Sequence, residues 1–221
     1  MELLPIVAIA VVVAIIVLII VLAIRTVRKR REAMQAVADE LGLPFFPTGD
    51  KSLIDHLSGF HLFSQGRSKK IVNMIHGDTD AMDLAIFDYR YTVGSGQHSS
   101  THSQTVICFQ SDELNLPEFS MRPEGFFHKI GGMFGYKDID FESHATFSKA
   151  YLLRGPDEAA IRELFREEML SHFETQKRLC VEGAGNTLVF YRAGRRVKPD
   201  EIHSLMEQGF QVLALFQVGK A

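Results

Sequence analysis

Cysteine is scarce in this chain: Cys108 and Cys180 are its only two. Two thiols make neither a disulfide framework nor a zinc motif. Each lies in an apolar, strand-like run, VICF and RLCV, so each is expected to be a buried thiol, with one disulfide between them left open. Charge of one sign is lacking too. A formal net charge of −3 over 221 residues leaves no electrostatic footprint for nucleic acid. Nucleophile and phosphate motifs are missing. There is no G-x-S-x-G elbow, and neither GSGQ nor GAGNT leads into the G-K-[ST] of a phosphate loop. No repeat, low-complexity tract or long linker divides the chain. These absences point to no catalytic residue and imply no cofactor.

What the chain has is a hydrophobic run at its start. LLPIVAIAVVVAIIVLIIVLAI, residues 3–24, carries no charged or hydrogen-bonding side chain. As a helix it extends about 33 Å at ~1.5 Å per residue, enough for a hydrocarbon core of about 30 Å. Its β-branched residues suit a strand in water, but a lone strand in lipid leaves its backbone unpaired, so helix wins. A cleavable signal peptide would have a basic start, a shorter apolar core and small residues at a cut site; here Glu2 comes first and RTVRKRR follows the run. Residues 1–24 are therefore expected to be an uncleaved transmembrane anchor. Arg25, Arg28, Lys29, Arg30 and Arg31 crowd its C-terminal flank, and no Lys or Arg precedes it. The positive-inside rule places that flank and everything after it in the cytoplasm, at the inner membrane of the cell with the N-terminus outside. The same residues are candidates for the membrane surface.

Residues 25–42 read as a basic juxtamembrane stalk, with Val27, Met34, Val37, Ala38 and Leu41 at helical spacing and Gly42 and Pro44 as stop signals. Residues 43–221 read as one domain. DKSLIDHLSG suggests a short helix, and FHLFSQG and KIVNMIHG suggest paired strands. In AMDLAIFDYRYTV, Phe87, Tyr89, Tyr91 and Val93 share one face; Leu84, Ile86, Asp88 and Arg90 share the other, which is expected to run from core into water. TVICFQS returns, followed by the strand EFSMR, an apolar Gly-rich segment at 126–136, and FSKAYLLRG, read as strand. A helix opening at Gly155-Pro156, a hairpin turning at GAGN and a last helix from Pro199 complete the chain. The pattern predicts an α+β fold: the transmembrane helix plus one mainly antiparallel sheet with flanking helices.

Three clusters are candidates for chemistry. GSGQHSSTHSQ, residues 94–104, lies at a hairpin tip, and in a regular returning strand His98 and His102 share a face and can reach one metal ion. In KDIDFESH, strand geometry puts Asp138, Asp140, Glu142 and His144 on one side, an oxygen-rich set that suits a hard cation. The plainer reading is an edge strand whose charges deter pairing. HGDTD, with Asp78 and Asp80 after His76, reads as a turn. For a protein partner, the aromatic and small polar mix of Tyr89, Arg90, Tyr91, Gln97, His98 and His102 suits a contact surface.

The order LGLPFF, FDYRYT, GSG, LPEFSMRPE, DIDFES and VEGAGNTLVFYR resembles a family of uncharacterised bacterial single-pass membrane-anchored proteins, a domain of unknown function, over roughly residues 30–215. That resemblance implies a bacterial source and a fold, and no activity. The expected function is an interaction or scaffolding module at the inner membrane face, with the bilayer and a protein at the 94–104 hairpin as partners and no nucleic acid. The alternatives are a small-ligand or metal sensor and a metal-dependent hydrolase.

Overall fold

The computed structural model describes residues 3–79, 82–126 and 136–217. Helix α1, Leu3–Leu41, is unbroken from the apolar run through the stalk, and is long and apolar enough to span a membrane. It stops where expected: Gly42 takes φ +68°, and the Leu43 N–H reaches back to the Ala38 carbonyl at 2.9 Å. There follow β1 (Phe45–Thr48), α2 (Lys51–His56) with a 3₁₀ turn, α3 (His61–Ser64), β2 (Arg67–Asp78), β3 (Asp83–Val93), β4 (Ser100–Gln110) and β5 (Leu116–Pro123). Then come α4 (Ala145–Ala150), β6 (Tyr151–Arg154), α5 (Glu158–Leu164), α6 (Glu167–Thr175), β7 (Leu179–Gly185), β8 (Thr187–Arg192) and α7 (Ile202–Gln217).

The strands make one eight-stranded sheet in the order β1-β2-β3-β4-β8-β7-β5-β6, each pair antiparallel. Alternation along the strands gives it two apolar faces. Ile86, Ile107, Phe119, Met121, Val181 and Phe190 face the larger layer, built from the end of α1 and from α4 to α7. Phe87, Tyr89, Val106, Cys108, Cys180 and Tyr191 face the smaller layer, where Leu57, Leu62 and Phe63 form the cover. A fully buried Leu or Phe contributes about 1.5–3 kcal/mol, so burial on both faces carries the fold.

Several local expectations change. FHLFSQG is a helical turn and not a strand: residues 61–63 are all buried, which a turn allows and a two-sided strand at that place does not. β2 pairs with β1 and β3 instead. FSKAYLLRG is helix first and strand only from Tyr151. Val27 does not join the buried stripe of Met34, Val37 and Ala38; it is 58% exposed. The helix after Gly155-Pro156 comes in two pieces, α5 capped by the Asp157 carboxylate on the Ala160 N–H, then α6. Both cysteines are free thiols, buried in the sheet. Most of the apolar 126–136 segment lies outside the described residues.

Candidate functional site

The register of β7, β5 and β6 sets Glu182 opposite Ser120, and Ser120 opposite Arg154. Side chains directly opposite in an antiparallel ladder share a face. All three lie on the smaller-layer face, just beyond the point where the α2–α3 cover ends. A cavity of about 340 Å³ opens there, floored by this row and walled by Phe60 and His61. Its volume falls within the range of small-molecule sites. Two glycines border it. At Gly155 a Cβ would meet the Glu118 carbonyl, and at Gly183 one would meet the Phe119 ring.

Buried ionisable groups surround the cavity. Glu182 is 1% exposed and Arg122 5%. The Glu182 carboxylate accepts from the Tyr191 hydroxyl at 2.7 Å and from the Leu62 N–H at 3.2 Å, which ties the α3 cover to the sheet. Burial raises the Glu182 pKa even with Arg122 and these donors favouring the anion. Burial, then the positive charges of Arg122 and Arg154, hold His61 down to about 3, so its imidazole is neutral at physiological pH. The Ser120 hydroxyl is buried in the cavity lining. The site thus offers a neutral imidazole, a hydroxyl, the Arg154 guanidinium and a carboxylate beside apolar walls. That set can hold a polar head while the walls take an apolar body.

The sequence-based candidates sit elsewhere. The β3–β4 hairpin is real, and its tip is 94–99, since Val93 already pairs with Ser100. Gly94 at φ +79° makes the turn, where a Cβ would strike the His98 carbonyl. Gln97 and His98 are exposed in a 3₁₀ turn, so His98 does not share a strand face with His102. His102 stacks on Tyr91, its register partner, with ring centroids 5.3 Å apart. Tyr89 and Tyr91 are not surface contacts: they are 0% and 2% exposed, under α3. Of that binding set only Arg90, Gln97 and His98 are fully exposed.

Residues 136–141 are irregular and 142–144 form a 3₁₀ turn, so the acidic segment is no strand and its carboxylates share no face. Asp138 caps the Leu153 N–H at 2.8 Å, and the His144 ring meets Glu174 at 3.2 Å. Asp140 is exposed in the irregular stretch and Glu142 is exposed in the 3₁₀ turn, and neither lies in a strand paired with the hairpin. Among the described residues, no three His, Cys, Asp or Glu side chains come together as a metal site. Of HGDTD, residues 76–78 belong to β2, where His76 pairs with Asp83 at 2.7 Å, and Asp80 lies outside the described residues.

One basic residue at the membrane flank has a different setting from its neighbours. The Arg30 guanidinium grips Asp88 through Nε and Nη2, both at 2.6 Å, and donates to the Val197 carbonyl at 2.8 Å. Asn73 and Thr105 donate to the same carboxylate at 3.0 Å. The two charged side chains are 10% and 4% exposed. Arg30 is therefore a clamp between α1 and the sheet and not a headgroup ligand, whereas Arg25, Arg28, Lys29 and Arg31 are exposed. Asp88 does not run out into water, because α1 covers it.

No family model and no curated protein matches this chain. A solved structure shares its fold. The crystal structure of the mycobacterial trehalose monomycolate transport factor A, TtfA, superimposes with a TM-score of 0.61 at 12% identity, over 87% of this chain and 93% of that one. The likeness is one of architecture: a single-pass membrane protein whose C-terminal domain is distantly related in structure to that factor.

Sequence reasoning missed the Glu182–Ser120–Arg154 row. The signal was present in EFSMRP, where Glu118, Ser120 and Arg122 alternate with Phe119 and Met121. Alternation of that kind ordinarily marks a wet face. The lone Glu182 inside the apolar CVEGA run was the better clue, since a buried carboxylate needs partners.

Proposed function

We propose that this protein is a membrane-anchored interaction module, with its sheet domain held in a fixed pose on the cytoplasmic side to engage a partner in the same membrane. The observation that carries the reading is the Arg30–Asp88 clamp within an unbroken α1. A flexible tether would suit encounters with soluble partners at any angle. A helix locked to its domain presents the same faces at the same height above the bilayer, which suits a partner of fixed geometry. The basic flank supports the cytoplasmic placement. The description of the similar structure as a transport factor fits a helper role of this class.

The test is crosslinked capture of the full-length protein from its own membranes, comparing wild type with a variant carrying a Gly/Ser insert between Ile24 and Arg25. The insert leaves the clamp intact and uncouples the anchor from the domain. A membrane protein captured by wild type and lost with the insert supports the reading. No specific capture, or equal capture by both, overturns it.

The cavity favours a second reading, a small amphipathic ligand with a hydrogen-bonding head. Native mass spectrometry of the full-length protein should then show a co-purifying small molecule that Ser120→Phe, which fills the cavity, excludes.

A further inference from the structure

The Ser120 hydroxyl lies buried with nothing to bond. The residue is 6% exposed, and among the described residues its Oγ has no hydrogen-bond partner. Buried polar groups are nearly always paired, so an exception calls for a cause. Here the hydroxyl borders the cavity of about 340 Å³, which has room for a small ligand to supply the partner. The cavity runs from a dry floor to a wet mouth. His61, Ser120 and Glu182 at the floor are buried, and His56, Gly59 and Glu118 at the mouth are exposed. A ligand can therefore enter from solvent and end against Ser120.

Charge narrows the kind of ligand. Arg154 stands directly opposite Ser120 in the β5–β6 ladder, so the two donors are neighbours on one face. Among the described lining residues it is the one Lys or Arg. Glu182, on the other side of Ser120, is met by the Tyr191 hydroxyl, the Leu62 N–H and the charge of Arg122. His61 feels the balance: after burial, the positive charges of Arg122 and Arg154 are what keep its imidazole neutral. Asp138 is also near Arg154, but it lies on the outer edge of β6, where its carboxylate takes the Leu153 N–H, and it does not line the cavity. Glu118 sits at the exposed mouth, where water and salt screen it. The floor therefore presents one cation beside one hydroxyl to whatever enters. A single carboxylate matches that pair, with one charge and two oxygens to accept from both donors. A guanidinium has five N–H donors, so Arg154 can take a ligand along with partners of its own. The second charge of a phosphate would meet no second cation in this lining.

We infer that the cavity binds a small organic monoanion, a carboxylate on an apolar body, with the carboxylate held between the Ser120 hydroxyl and the Arg154 guanidinium and the body lying against the Phe60 wall. The inference rests on the small-ligand reading of this cavity and adds to it the charge and kind of the head.

The chain has no tryptophan, so Phe60→Trp places a single fluorescent reporter in the cavity wall of the full-length protein. In nonionic detergent this protein is titrated with octanoate, octanol and octylamine, which share a body and differ in the head. Free probe is measured by equilibrium dialysis, so that uptake by micelles drops out. The expected result is a saturable emission change with octanoate at least tenfold tighter than with the other two. Arg154→Gln should weaken octanoate roughly tenfold or more and leave octanol within about twofold, and Ser120→Ala should weaken octanoate roughly threefold or more. Continued protection of the buried Cys108 and Cys180 from a maleimide reports that each variant has folded. If Arg154→Gln exposes them, Ser120→Ala, which removes one atom, decides alone. Octanol or octylamine binding as tightly as octanoate overturns the carboxylate head and leaves the cavity a ligand site. So does octanoate binding that folded Arg154→Gln or Ser120→Ala leaves unchanged, or that Arg154→Gln weakens no more than it weakens octanol. No saturable response to any of the three probes overturns the small-ligand reading itself, and the inference with it.

Discussion

Within RTVRKRR, Arg30 differs from its neighbours only in where it lands. Its four basic neighbours point to solvent, and it alone reaches a buried carboxylate. Removing one member of a buried pair leaves the other charge uncompensated, at a cost of about 3–5 kcal/mol. Arg30→Ala should therefore lower stability by about that much, while Arg25→Ala should stay within about 0.5 kcal/mol. Urea unfolding of the full-length protein in detergent checks both; equal effects would mean the clamp contributes nothing. His61 gives a second prediction. Its folded pKa is about 3 against an ordinary 6.5. Below pH 6.5 the unfolded chain binds a proton that the folded chain refuses, so this group's contribution falls as pH drops from about 6.5 toward 3. Glu182, with its pKa raised by burial, works in the opposite sense, because its folded form takes up a proton at higher pH than the unfolded one. The difference between wild type and His61→Gln isolates the histidine: the variant's urea midpoint should fall less between pH 7 and pH 5. Neither residue's role could be read from the sequence, because each depends on a charge far away in the chain.

Element by element, legibility followed periodicity. β3, β4, β7 and β8 were readable because their alternation is clean and each turn is marked by glycine. Both faces of β3 came out as its pattern required, except that the polar end of one face is roofed by α1. α3 was misread because four residues are too few to separate a strand from a helical turn. The acidic 138–144 stretch failed for a similar reason: alternation of charge and apolar residue also arises when Ile139 dips into the core and Phe141 packs half-buried against it with no strand between them. Strand β7 carries a test of the cavity wall. A Cβ at Gly183 would lie 2.4 Å from the Phe119 ring, which is buried on the larger face. Gly183→Ala must shift that ring or the strand, and overpacking of this kind costs about 1–3 kcal/mol. A thermal or urea midpoint matching wild type would show that the wall yields freely. The thiols offer a milder check. Burial raises both, Cys108 to about 12, so neither should react with a maleimide at neutral pH until the protein unfolds.

At the scale of the molecule, anchor, clamp and sheet divide the work. The α+β class and the membrane helix were legible because composition and period dictate them. The sheet order was not: β5 leaves β4 and pairs beyond β7 and β8, a long-range choice that no local pattern encodes. Orientation in the membrane is the property that depends on the whole. The proposed orienting role of the basic flank and the Arg30 clamp fall on different residues, so they can be separated. On the proposed cytoplasmic placement, changing Arg25, Arg28, Lys29 and Arg31 to Gln removes the charges that would retain the flank there but keeps Arg30 on Asp88. A reporter fused after Ala221 should then read a mixture of cytoplasmic and external, where wild type reads cytoplasmic. Arg30→Gln alone should leave the topology cytoplasmic and weaken only the domain. If the fourfold variant still reads purely cytoplasmic, flank charge is not what orients the chain. The cytoplasmic placement would then rest on the folded domain, which a membrane passes poorly, and the clamp variant would become the one to show mixed topology.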